Sequence, residues 1–266
     1  MLTNRLPGVQ RTVYGVTVLF DEVFVVRYMT PEVEVYDSNM LNLTRRIPIA
    51  GLVHPYDLSS CSKFRCLYIA DKTGSAIHRV ELGGTTTRWN MSDSPYALSV
   101  TPDPDFHIIV TCGDARKLKE FATNGTLVRE ILLQEDLIKP LHAIQFNGQF
   151  VISHGYTSDR LHRVCTINST SHVTRCYGGP PGSAIGQLNQ PWHLAMDEKG
   201  NVLVADYTNG RVLMLDNQLN YVGELISRPN SNMTALGPWR LCLADIRLFV
   251  NDYLSNDLFV YRVRDL

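Results

Sequence analysis

The chain has 266 residues, of which 44% are hydrophobic and 19% charged, and its formal net charge is −1. That composition supports a large core and carries none of the basic excess that phosphate or anionic lipid recognition calls for. Apolar runs stop far short of the roughly 18 residues of a membrane helix, so membrane insertion is not expected.

Residues 1–10 include Arg5 and Pro7 but no apolar run of a secretory signal. An intracellular protein, or a domain excised from a longer one, would read this way. A short strand is predicted over residues 2–9. After it, one line recurs six times: an aromatic or proline entry, a hydrophobic strand, a polar turn, a second strand ending in a polar residue, and a third strand. The entries fall at Tyr14, Tyr56, Tyr96, Leu141, Trp192 and Trp239, offsets of 42, 40, 45, 51 and 47 residues. The second strand recurs at 23–26, 67–70, 108–111, 150–153, 202–205 and 248–251, and the third at 33–36, 77–80, 118–121, 161–164, 212–215 and 258–261. Short runs of Val, Ile, Phe and Tyr between Gly, Asp and Asn turns favour strands over helices.

A fourth, outer strand follows in five copies, for example at 86–91, 127–133, 173–177 and 221–226, whereas the sixth copy ends after its third strand. The N-terminal strand is therefore expected to pair onto the last blade, removing the open edges of a linear array. The predicted fold is a single all-β domain over residues 1–266. It is a six-bladed β-propeller with four-stranded antiparallel blades.

The fifth copy, from Gly186-Gln187-Leu188-Asn189-Gln190-Pro191 through Val204-Ala205-Asp206 to Arg211-Val212, resembles a nearly complete NHL repeat. The resemblance implies a binding scaffold. NHL propellers serve as partner-binding or RNA-binding modules of tripartite-motif ubiquitin ligases, as extracellular repeat proteins, and in a few enzymes such as the peptide-amidating lyase.

Cys165 and Cys176 become directly opposed if their hairpin turns between Thr170 and Ser171, and Cys61 and Cys66 bracket a tight turn, so two local disulfides are expected. Cys112 and Cys242, in the third and sixth blades, should remain thiols. Five N-glycosylation sequons, at Asn42, Asn90, Asn124, Asn168 and Asn232, exceed the about two that composition provides by chance. With the cysteine pairs they favour an extracellular or lumenal location; a cytoplasmic one is the alternative.

Equivalent positions of in-register blades form rings. One residue after the entry the ring reads Gly15, Asp57, Ala97, His142, His193 and Arg240; just past the second strand it reads Arg27, Asp71, Cys112, His154, Asp206 and Asp252. The polar members of the two rings, Asp57, His142, His193 and Arg240 of the first and Arg27, Asp71, His154, Asp206 and Asp252 of the second, are candidate binding positions with Tyr56, Tyr96, Trp192 and Trp239, and no catalytic residue is assigned. His142, His154 and His193 could together hold a divalent metal at the channel mouth, supporting a metal-assisted lyase or hydrolase. The amidating lyase places its zinc histidine directly after the entry proline. Here Leu141 or Trp192 intervenes, and one strand position reverses the face. In the structural alternative the aspartates cap turns, the histidines are hydrogen-bonded channel residues, and the aromatics pack between blades. The leading expectation is a non-catalytic scaffold binding a protein or peptide through one face, with no cofactor. Nucleic acid is not expected, because Arg45-Arg46 and the set Arg116, Lys117 and Lys119 lie two blades apart.

Overall fold

A strand buried on both sides needs apolar residues at successive positions, and the second strands of the repeat supply them. In the computed structural model, which describes residues 1–6, 11–102, 104–227 and 236–263, they become the middle of six four-stranded antiparallel sheets. Strand β1 (Leu2–Leu6) precedes the first blade, made of β2 (Val13–Leu19), β3 (Glu22–Arg27), β4 (Glu32–Asp37) and β5 (Leu43–Pro48). Blade 2 comprises β6 (Pro55–Cys61), β7 (Cys66–Asp71), β8 (Ala76–Glu81) and β9 (Thr86–Asn90). Blade 3 comprises β10 (Ala97–Val100), β11 (Ile108–Cys112), β12 (Lys117–Phe121) and β13 (Leu127–Leu132). Blade 4 holds β14 (Pro140–Phe146), β15 (Gln149–His154), β16 (His162–Ile167) and β17 (Val173–Gly179), and blade 5 holds β18 (Pro191–Met196), β19 (Val202–Asp206), β20 (Arg211–Leu215) and β21 (Tyr221–Ile226). The last blade has β22 (Pro238–Ala244), β23 (Arg247–Asp252) and β24 (Leu258–Arg262). No helix occurs among the described residues.

The core is divided between the blades. Along β3, Val23 and Val25 join the cluster shared with blade 6, while Phe24 and Val26 join the one shared with blade 2. Along β7, Leu67 and Ile69 face blade 1 while Tyr68 and Ala70 face blade 3. The period-two alternation of strand side chains thus makes each second strand the wall between two clusters. The first strands contact one another around the axis.

Strand β1 supplies the fourth strand of blade 6, pairing Leu2 with Tyr261 and Leu6 with Leu258, as expected from the sequence. Arg5 extends from it to Asp257, an ion pair of 2.6 Å whose carboxylate side chain is only 3% exposed. No helix of the described residues is long and apolar enough to cross a membrane.

Cys165 and Cys176 are opposed and bonded, with Cα atoms 4.1 Å apart. The turn lies one step away from the expected place, since Ile167 pairs with Val173, and a bulge between Thr166 and Ile167 restores the register that brings the sulfurs together. The second expected disulfide is not present. Cys61 and Cys66 pair across β6 and β7, yet both are free buried thiols. Cys66 lies beside the Tyr68 hydroxyl and the Arg79 guanidinium, and both sulfurs pack into the cluster between blades 2 and 3. Opposition alone does not make the bond. Cys112 and Cys242 are free, as expected. Asn42, Asn90 and Asn124 are exposed and Asn168 is half-buried, while Asn232 lies outside the described residues.

Two outcomes follow. Alkylation of the denatured, unreduced protein should label four cysteines, and reduction should expose two more. Six labelled cysteines without reductant, or two, would contradict this pairing. Deleting residues 1–6 removes the four ladder partners of β24, and at about 1 kcal/mol for each stability should fall by about 4 kcal/mol, read as a lower urea midpoint. An unchanged midpoint would count against closure by β1.

Candidate functional site

Five of the six entries carry a bulge, whereas β10 of blade 3 pairs with β11 without one. Pro55 pairs with Asp71 but Asp57 with Ala70, and the same skip separates Pro140 from His142, Pro191 from Leu194 and Pro238 from Arg240. The extra residue cancels the reversal of face expected from strand alternation, so the first ring points at the axis. There its members serve neighbouring backbones. Asp57 Oδ2 accepts the amide of Leu98 at 3.1 Å, His142 Nδ1 that of Leu194 at 3.2 Å, and His193 Nδ1 that of Leu241 at 3.3 Å. The Arg240 guanidinium crosses to the carbonyls of Tyr14 at 2.9 Å and Tyr56 at 2.6 Å, and stands 3.4 Å from Asp57. Gly15 leaves room in this ring, since a Cβ there would come within 2.8 Å of the Leu58 amide nitrogen. Asp57, His142 and Arg240 are 2% exposed or less. The ring is a plug.

Asp57, His142 and His193 offer ligand atoms within 4.8 Å of one another, and the two imidazoles stack with centroids 3.7 Å apart. The donor chemistry does not suit a cation. Each Nδ1 accepts a backbone N–H, so the proton of each neutral ring sits on Nε2, the reverse of a metal ligand whose Nδ1–H donates outward. Arg240 adds a fixed positive charge. His154, expected to join the other two, is elsewhere: its Nε2 accepts from Arg163 at 3.1 Å and approaches the Cys165 sulfur at 3.9 Å. It follows the second strand, and its blade partner is Pro140, so it belongs to a different ring.

That second ring holds loops in place. Asp71 accepts the amides of Val53, His54 and Gly74 at 2.9 to 3.0 Å. Asp206 takes the amide of Asn189 at 2.7 Å together with Asn209 and Arg211, and Asp252 takes those of Gly237 at 2.5 Å and Ser255 at 3.1 Å. All three are fully buried. Burial opposes ionisation of Asp71, but His78 and the three amides outweigh it and hold the carboxyl at about 2; at Asp206 burial wins and raises it. Arg27 replaces the aspartate in blade 1, donating to Glu34 at 2.6 Å and to the Arg11 carbonyl at 3.0 Å. Burial pushes the Cys112 thiol, in blade 3, up to about 12. These residues were candidates for binding; their polar groups are spent on the fold.

The entry aromatics build a floor on the face formed by the loops between second and third strands and between blades. Tyr56, Trp192, Trp239 and Leu141 are buried there, with Tyr14, Tyr96 and Tyr207 packed against them. Trp192 and Trp239 have ring centroids 3.9 Å apart. Above the floor stands a tier the sequence reading did not single out: Tyr28 is 43% exposed, Tyr156 39% and Tyr253 37%. Tyr253 stacks on Trp239 at 4.8 Å, Tyr156 meets Trp192 edge-on at 5.4 Å, and Tyr28 lies 5.1 Å from Tyr14. The signal was available, because Tyr28, Lys72, Tyr207 and Tyr253 each directly follow a second-ring residue. Lys72 sets its ammonium 4.2 Å from the Tyr56 ring and 4.0 Å from the Tyr96 ring. Lys139 pairs with Asp114 at 2.7 Å, and Asp114 accepts the Tyr96 hydroxyl.

Burial depresses His142 and His193, pushes His154 down to about 4, and lowers His162. The unfolded chain takes up these protons near pH 6.5 while the folded one resists, so below that pH the unfolded state binds more protons and stability falls. The contribution is complete above pH 6.5 and drains as pH drops toward 4. The urea midpoint should be lower at pH 5 than at pH 7; an equal or higher midpoint at pH 5 would contradict the buried neutral imidazoles.

The NHL repeat family profile matches residues 188–213, the entry and second strand of blade 5. A 46-residue stretch is 39% identical to Protein lin-41 of Caenorhabditis elegans, covering 17% of this chain and 4% of that protein. In fold, the chain resembles virginiamycin B lyase from Staphylococcus aureus, with a TM-score of 0.70 at 13% identity over 99% of this chain and 89% of the other. It also resembles a chain of a nidogen/laminin complex, with a TM-score of 0.69 at 13% identity over 87% and 84%. Such identities speak to fold alone. With its ring of six four-stranded blades and one repeat matched at residues 188–213, the chain is a six-bladed β-propeller that carries an NHL repeat.

Proposed function

We propose that this propeller is a non-catalytic binding module that takes a protein or peptide partner on its aromatic loop face. The observation that carries the reading is the pair of aromatic tiers: Tyr28, Tyr156 and Tyr253 stand exposed, from three different blades, over a buried floor that includes Trp192 and Trp239. Trp and Tyr offer large contact area at low entropic cost and dominate interface energetics. The floor is held from below by the Arg240 plug, so the surface is preorganised. Lys139 is neutralised by Asp114 and Lys72 is engaged with the Tyr56 and Tyr96 rings, which favours side-chain packing over steering by a strong field.

The compartment we propose is extracellular or lumenal. The Cys165–Cys176 disulfide supports it, as do sequon asparagines Asn42, Asn90 and Asn124, which sit exposed at outer turns and strand ends where glycans would be tolerated.

A random-peptide library selected on the immobilised protein tests the function. Enriched peptides should bind the Tyr156→Ala/Tyr253→Ala variant about 10-fold or more weakly, and should quench tryptophan fluorescence of the wild type. They should bind a Phe20→Ala/Phe64→Ala variant, changed on the opposite face, with full affinity. Peptides indifferent to the tyrosine substitutions, or no enrichment at all, would overturn the reading.

A further inference from the structure

The two sulfurs of the Cys165–Cys176 disulfide have different surroundings. Cys165 is fully buried, in the cluster shared by blades 3 and 4. Cys176 is exposed on β17, the outermost strand of blade 4, with no strand paired beyond it. The bond therefore runs from the core to the rim of the disc. Cys61, Cys66 and Cys112 are buried and Cys242 is half-buried, so Cys176 is the cysteine most open to solvent.

A thiolate attacks one sulfur of a disulfide along the line of the bond and displaces the other. Extended beyond Cys176, that line leaves the sheet at the rim. Extended beyond Cys165, it runs toward β15, where Ile152, the cross-strand partner of Cys165, fills the same face and the same cluster. Only Cys176 is open to attack. The displaced sulfur is provided for. His154 is fully buried and sets Nε2 3.9 Å from Cys165 Sγ and 3.1 Å from Arg163 Nε. In the disulfide Cys165 has no hydrogen to give; as a thiol it gains one, and the imidazole nitrogen beside it can accept that S–H in place of Arg163. The guanidinium next to that nitrogen favours the thiolate until it is protonated. Opening the bond leaves β17 docked, because five further residue pairs join it to β16.

We propose that Cys176 is a thiol-exchange site: an ionised free thiol from the surroundings attacks Cys176 Sγ and stays on it as a mixed disulfide, while Cys165 is expelled. The new S–S bond forms as the Cys165–Cys176 bond breaks. The electron pair leaves on Cys165 Sγ, and that sulfur takes one proton from water, replacing the proton the attacking thiol released on ionising. One disulfide is consumed and one is made, so no oxidant is required. In the reverse step Cys165 attacks Cys176 and expels the adduct, which makes the buried cysteine the resolving partner. The site uses no residue of the aromatic face and is independent of the peptide-binding reading.

Glutathione is the probe. Cys165→Ala and Cys176→Ala, each folded, are incubated with oxidised glutathione, and their cysteine peptides are mapped by mass spectrometry. Cys176 of the first variant should be modified about 10-fold or more faster than Cys165 of the second, as exposed and buried thiols differ. In the wild type, reduced glutathione should open the bond with the far-UV circular dichroism unchanged. Mixed disulfides trapped by acid should carry glutathione on Cys176 and a free thiol on Cys165, a measurement that needs no variant to fold. Equal modification of the two variants, glutathione on Cys165 of the wild type, or a wild-type bond that opens only in denaturant would each overturn the proposal.

Discussion

The structure depends on one constraint: each middle strand is apolar on both sides, so no blade can be stable alone. Val23 and Val25 of β3 need blade 6, and Phe24 and Val26 need blade 2. The demand passes from blade to blade until the ring closes, and the pairing of β1 with β24 locks it. Once closed, the ring forces the first strands together at the axis, where their backbone amides lose water. The polar first ring answers that loss, since Asp57, His142 and His193 each accept an amide from a neighbouring blade and Arg240 caps two carbonyls. A buried amide without an acceptor would cost about 1 to 3 kcal/mol. The polarity of the channel is therefore a consequence of closure.

Two places on the molecule differ in what their polar groups are free to do. The histidine and carboxylate cluster is the more suggestive in sequence, yet each of its groups has a structural task, and the Nε2–H form of both imidazoles turns their lone pairs away from a cation. The aromatic face has the opposite character. Tyr28, Tyr156 and Tyr253 contribute to no inter-blade cluster and remain exposed, and the proposed binding role rests on these three aromatic side chains held in water over a tryptophan floor.

What could be read in the sequence was what repeats with a fixed period. The six entries, the strand order, the closure by the N-terminal strand and the opposition of Cys165 and Cys176 all follow from register. The rest depended on small departures from it. The entry bulge is one inserted residue in five of the blades, invisible to period counting, and it decides that His142 and His193 face the axis. Cys61 and Cys66 show the limit of the same logic: register places them opposite one another, yet both remain buried thiols. His154 was grouped with His142 and His193 because all three are imidazoles near strand ends, although its position in the repeat already placed it with Asp71, Asp206 and Asp252. Tyr28 and Tyr253 directly follow second-ring residues and so carry a register signal, whereas Tyr156 lies two residues after His154, in a turn where no periodicity marks it.

The central claim, that the channel imidazoles are acceptors for the backbone of a closed ring, can be tested directly by long-range proton–nitrogen correlation of the histidine side chains. His142 and His193 should each show a protonated Nε2 and an unprotonated Nδ1 at neutral pH, unchanged by added zinc. A protonated Nδ1 on either ring, or a zinc-dependent shift of both, would contradict it.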